Sequence, residues 1–191
     1  MSPVDDILEF WFGRAQDDGF GALRDAWFEK DPAFDAEIRR RFLAVHERAA
    51  TGGLDDLAHT AEGALALIVV LDQFPRNMFR GQPGMYATDE KARALARTAL
   101  DEGFDRQLAP VQRIFVYLPF EHSETLADQK LSVKLFKVLP RIPDRDEGIS
   151  SALRHREIVE RFGRFPHRNA ILGRETTPEE AAFLEEPNSS F

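Results

Sequence analysis

Residues 61–77 read AEGALALIVVLDQFPRN, and this stretch decides the fold. From Ala61 to Phe74 apolar side chains fall on every face of a 3.6-residue helix, which is stable only when other elements surround it. Thr60 is placed to cap its start, and Pro75 is expected to stop it, because a proline ring clashes with the carbonyl four residues back. A buried central helix over about 61–74 therefore organises the chain.

Working outward, helical signals repeat on both sides. Ser2-Pro3, with Asp5 and Asp6 in the first turn, opens a helix to about Phe12. Gly13 to Lys30 reads as a loop anchored by Trp27 and Phe28. Asp31-Pro32 starts a helix with Phe34, Ile38, Phe42, Val45 and Ala49 on one stripe, ended by Gly52-Gly53. Thr88-Asp89-Glu90 opens another, stopped by Gly103. Pro110 begins a short apolar helix to about Leu118, which Pro119 is expected to terminate. Ser123 is expected to cap a helix from Glu124 to Leu139. A long helix from about Asp146 to Phe162 ends at Gly163, and Thr177-Pro178-Glu179-Glu180 starts a short last one. With no period-two stretch to make a strand, this predicts one all-α domain over 1–191, a bundle of seven or eight helices around the central one.

Composition narrows the function classes. In 191 residues, 43% are hydrophobic and 16 are Phe, enough for a large single core. The formal charge of −8 repels nucleic-acid phosphates and anionic lipids, so neither partner is expected. The absence of cysteine removes disulfides, thiolate nucleophiles and cysteine metal sites. The acidic N-terminus lacks a signal-peptide pattern, and the run Ala64 to Leu71 is far short of the roughly 20 residues of a membrane span. A cytoplasmic protein is expected.

Three segments depart from ordinary solvated helix: LDQFPRNMFRG (71–81), YLPFEHSE (117–124) and HREIVERFGRFPHRNAILGR (155–174). Each sets polar side chains among bulky apolar ones just where a helix is expected to stop. In the first, Asp72 shares a stripe with Leu65, Ile68 and Val69, so its carboxylate should be buried and needs a cationic partner. Two readings stand side by side. In one, Asp72, Gln73, Arg76, Asn77 and Arg80 wall a ligand pocket, with the fork of Arg76 or Arg80 offered to an anion. In the other, Asp72 pairs internally and Arg76 ties down the carbonyls of the helix end. In the second segment, Glu121 beside His122 provides a carboxylate-oriented imidazole for general acid–base work, with Glu124 nearby. Ser123 reads as a cap rather than a nucleophile. In the third, His155 reads as a core histidine. His167, Arg168, Asn169, Arg164 and Arg174 make a local cationic region suited to an anionic small molecule, or to internal pairing with Asp72, Glu121 and Glu124.

The spacing of His122, His155 and His167 matches no metal motif, and no glycine-rich phosphate cradle is present, so no metal and no cofactor is expected. The echo of FPRN (74–77) in FPHRN (165–169) is the one internal similarity. Together, LALIVVLDQFPRN, LPFEHSE and RFGRFPHRNAILGR, flanked by ILEFWFG near the start and TTPEEAAFL with Phe191 at the end, resemble the bacterial domain-of-unknown-function family 924 over essentially the whole chain. Many of its members carry tryptophan near the position of Leu57. The resemblance implies helical hairpins similar to tetratricopeptide proteins and implies no activity. Two functions are therefore set against each other. One is a small-molecule site in which His122, Glu121 or His167 moves a proton while arginines hold an anion. The other is a helical-hairpin adaptor binding a peptide or protein through a groove near Trp11, Trp27 and Phe28. Homo-oligomerisation through an exposed helix face fits either.

Overall fold

The computed structural model describes residues 2–14, 16–17, 20–140 and 145–190, the side chain of Arg145 excepted. Phe191, where the family resemblance ends, lies outside them, as do Ala15, Asp18 and Gly19 of the predicted loop. The described residues form helices α1 (Pro3–Phe12), α2 (Pro32–Ala50), α3 (Ala61–Ile68), α4 (Phe74–Met78), α5 (Asp89–Asp101), α6 (Pro110–Glu121), α7 (Leu126–Val138), α8 (Arg145–Phe162) and α9 (Pro178–Leu184). A π-helical turn, Val69–Gln73, joins α3 to α4 in one rod, so the bundle has eight helical rods. No strand occurs among the described residues.

The predicted caps at Ser2, Asp31, Thr60 and Thr177 form. Ser2 Oγ accepts the Asp5 N–H and the Asp5 carboxylate accepts the Ser2 N–H, each at 3.1 Å. Asp31 caps α2, Thr60 accepts the Gly63 N–H, and Thr177 and Glu180 complete a capping box on α9. Each cap satisfies a donor that the first helical turn leaves without a partner.

Every residue of the rod from Gly63 to Pro75 is buried. It packs against α1, α2, α5 and α6, and α7 and α8 continue from α6. Trp11 lies 5.5 Å from the Phe74 ring and 5.7 Å from Phe115, and Trp27 stacks on Trp11 at 6.0 Å while donating its indole N–H to Trp11 O. Both tryptophans are therefore core residues, not the exposed groove that an adaptor would present; Phe28 alone is 61% exposed.

Three boundaries differ from the sequence reading. Pro75 does not stop the central helix. The π turn adds a residue, so the Phe74 N–H reaches Val69 O, and Leu71 O, which Pro75 cannot engage, accepts the Thr88 hydroxyl at 2.6 Å. Likewise, α6 runs through Pro119 to Glu121, its neighbours being packed against the rod and α7, so burial outweighs one lost hydrogen bond. Finally, α7 begins at Leu126, with Thr125 as its N-cap residue. Ser123 Oγ turns instead to Asp128 at 2.8 Å, and Glu124 is left outside the helix.

Candidate functional site

The rod's π turn, the end of α6 and the segment after α8 meet at one place. The π turn faces Asp72, which is fully buried, toward the C-terminal end of α6. There Gln129 holds the α6–α7 loop by donating to Glu121 O and Ser123 O at 2.6 Å each, and this fixes His122. His122 Nδ1 lies 2.8 Å from Asp72 Oδ1, and Gln73 Nε2 donates to Asp72 Oδ2 at 2.5 Å. A carboxylate only accepts, so His122 carries its proton on Nδ1 and presents the Nε2 lone pair elsewhere.

Arg76 completes the lower wall. It donates to Asp72 O, stands 3.4 Å from Asp72 Oδ1, and forms a two-pronged pair with Asp89 at 2.9 and 3.0 Å. Burial would raise the Asp72 pKa, but Arg76, then His122 and Gln73, outweigh it and hold the group at about 2. Burial first, and then Arg76, lowers the His122 pKa against the pull of Asp72, so His122 is neutral near pH 7.

Glu121 experiences the opposite environment. It is 3% exposed, and burial pushes its carboxyl up to about 8, with the Asp72 charge adding to the rise. Ser151 Oγ donates to Glu121 Oε1 at 2.8 Å, and His155 Nδ1 lies 3.2 Å from the same oxygen while bonding Ser151 O at 2.9 Å. Burial lowers the His155 pKa to about 3, so this contact joins two neutral groups rather than an ion pair. With Oε1 accepting, the carboxyl proton belongs on Oε2, a buried atom with no hydrogen-bond partner among the described residues. Two carboxyl groups whose surroundings drive their pKa values apart are the arrangement from which acid and base roles are built.

From the third segment come His167 and Arg168. The Arg168 guanidinium lies between the Tyr86 and Phe165 rings, 4.5 Å from each centroid. Its Nη1 stands 3.7 Å from Asp89 Oδ2, beyond hydrogen-bonding distance, and its buried Nε has no partner among the described residues. Burial, then Arg168, lowers the His167 pKa to about 4.

These groups surround a cavity of about 320 Å³, walled by Gln73, Arg76, Asn77, Arg80, Glu121, His122, His167 and Arg168 among the predicted residues. Asn77 and Arg80 are held on its rim by Asp35, at 2.7 Å and, for the two-pronged arginine, 2.8 Å. Asp72, fully buried against His122 and Arg76, is not on this wall, and neither are Glu124, Arg164, Asn169 and Arg174. Glu124 accepts the Phe165 N–H at 2.8 Å and both prongs of Arg174, while Arg164 and Asn169 bind Glu180. They attach the C-terminal segment to the bundle, because Glu124 outside α7 and Glu180 in its capping box are the carboxylates within reach. The cationic density expected to serve a ligand is thus largely spent internally, and of that segment only His167 and Arg168 are among the residues lining the cavity.

The sequence reading missed Tyr86, Asp89 and Ser151. Asp89 reads locally as a first-turn acid of α5, and nothing in its own stretch announces Arg76 or Arg168. The π turn also carries no local signal beyond a proline following an unbroken apolar run, although such turns are frequent at functional sites. No cluster of three or more His, Asp or Glu suited to a metal ion occurs among the described residues, and none of their helices is long and apolar enough to cross a membrane.

Comparison with curated proteins returns no match. The solved structure of a protein of unknown function from Agrobacterium tumefaciens is similar over 95% of this chain and 96% of that one, at 46% identity with a TM-score of 0.84. The profile of a family described as bacterial protein of unknown function, DUF924, matches residues 7–188. The chain, with its buried rod and the polar site at its end, belongs to that family.

Proposed function

We propose that the cavity is a binding site for a small anionic molecule, in a cytoplasmic protein, with His122 and Glu121 placed to exchange protons with the ligand. One observation carries this reading: Arg168 and Glu121 both line the cavity, and the buried Arg168 Nε and Glu121 Oε2 have no hydrogen-bond partner among the described residues. Leaving such groups unmet costs about 1–3 kcal/mol each, and a ligand oxygen would recover it. Arg168 supplies one positive charge, shared with Asp89 3.7 Å away, and this suits one carboxylate better than a polyphosphate. Opposite Arg168 and Glu121, His122 offers Nε2 as a base, its tautomer and orientation set by Asp72 in the manner of an acid–base dyad. A neutral acid beside a neutral base permits proton transfer without burying a new net charge.

The test is a thermal-shift screen of the full chain against carboxylate- and phosphate-bearing metabolites. A ligand at about 100 times its Kd stabilises by about 2.7 kcal/mol, roughly 5–10 °C for a chain of this size. The expected hit is a monocarboxylate whose shift disappears in folded His122→Ala and Arg168→Ala variants. A screen without a carboxylate or phosphate hit, or a hit that persists in both variants, overturns the reading.

A further inference from the structure

A second cavity, of about 390 Å³, adjoins the first and shares Phe28, Leu118, Glu121 and Ser151 with it. Its character differs. Its interior is formed by Leu23, Ile114, Leu118, Phe136 and Leu139. Of the polar groups that border it, Glu121 is shared with the first cavity, and the others are engaged or exposed. Ser151 donates to Glu121, and Arg24 donates to Phe10 O and Trp11 O at 3.2 and 2.6 Å. Asp25 and Glu147 are exposed. Water inside such a chamber finds few partners, so its favourable occupant is apolar.

The charges give the pair of cavities a direction. Asp25 and Glu147 outnumber Arg24 on the border of the apolar chamber and would disfavour a carboxylate there, whereas Arg168, which lines the polar cavity alone, would attract one. Between them stand the buried Glu121 and the largely exposed Phe28, whose ring can swing without disturbing the core. We propose that the ligand is an amphipathic monocarboxylate, its head group on Arg168 and Glu121 and its hydrocarbon tail running past Phe28 and Leu118 into the apolar chamber. This rests on the anion-site reading above and extends it to a substrate class: medium-length acyl or arylalkyl acids rather than small polar metabolites.

Straight-chain monocarboxylates from acetate to decanoate, each below its micellar range, are titrated calorimetrically into the full chain. Each methylene buried in the chamber should tighten binding about fourfold, until the chamber is full and affinity levels off. Leu23→Trp, which adds bulk to the chamber wall from a partly buried loop position, should bring the plateau to shorter chains and leave acetate affinity unchanged. Ile114→Ala should move the plateau to longer chains, and it carries the test if the tryptophan variant does not fold. Acetate and decanoate binding equally well would overturn the tail assignment while leaving the anion site standing. A chain-length gain that neither variant alters would place the tail elsewhere and also overturn it. Failure of every carboxylate to bind would remove the anion-site reading itself.

Discussion

Substituting Glu121→Gln isolates one carboxyl whose proton the structure retains well above the usual range. Between the ordinary value of 4.5 and about 8, the unfolded chain gives up this proton and the native chain keeps it. The native state then binds more protons than the unfolded state, so stability falls as pH rises through that window, by about 1.4 kcal/mol per pH unit. The histidines act with the opposite sign. His122, His155 and His167 all have lowered pKa values, so the unfolded chain binds the extra protons below pH 6.5 and stability rises as pH climbs toward that value. Above about pH 6.5 the histidine contribution is complete and only the Glu121 term remains. From there to about pH 8 is about 1.5 units, which gives a loss of about 2 kcal/mol, roughly 4–8 °C in Tm. Glutamine keeps the shape and a donor but does not titrate. Urea unfolding across pH 6 to 8.5 should therefore show a decline in the parent chain that flattens in Glu121→Gln. A protonated-carboxyl C=O infrared band at neutral pH should vanish in the same variant. Parallel stability profiles for the two chains above pH 6.5 would refute a neutral Glu121, and with it the proton-donor half of the proposed site.

Asp72→Ala should cost about 3–5 kcal/mol in urea unfolding, because His122, Gln73 and the buried Arg76 all lose an acceptor at once; a cost below about 1 kcal/mol would show that the cluster does not hold the helix ends together. Gly63→Ala should destabilise by about 1–3 kcal/mol despite the better helix propensity of alanine, since the new Cβ would stand 1.9 Å from Leu57 O. A rise in Tm for that variant would contradict the close approach of the rod to the preceding turn.

Much of the fold was legible because it rests on local rules. The caps at Ser2, Asp31, Thr60 and Thr177, and the all-round apolar pattern of Ala61 to Phe74, need only neighbours within a turn or two for their interpretation. The burial of Asp72 followed from its stripe, and the three polar segments were recognisable by their mixture of charge and bulk. What was misjudged depended on partners far along the chain. Pro75 and Pro119 looked like stops because, taken alone, each removes a helical hydrogen bond. Thr88 and the packed neighbours supply the compensation, and no local pattern contains them.

The sequence by itself determined an all-helical domain, its central buried rod, and the three places where polar groups had to be satisfied. Only the tertiary structure decided which of those groups find partners. His122 meets Asp72 across 50 positions of chain, and Glu124 meets Arg174 across as many. That pairing spends Arg174 and Arg76 internally, while Arg168 Nε and Glu121 Oε2 have no hydrogen-bond partner among the described residues. Burial disfavours ionisation of both carboxyl groups; Arg76 overrides it at Asp72, while at Glu121 the Asp72 charge adds to it. Charge state depends on the dielectric surroundings and the nearest opposite charge, and both are properties of the packed molecule.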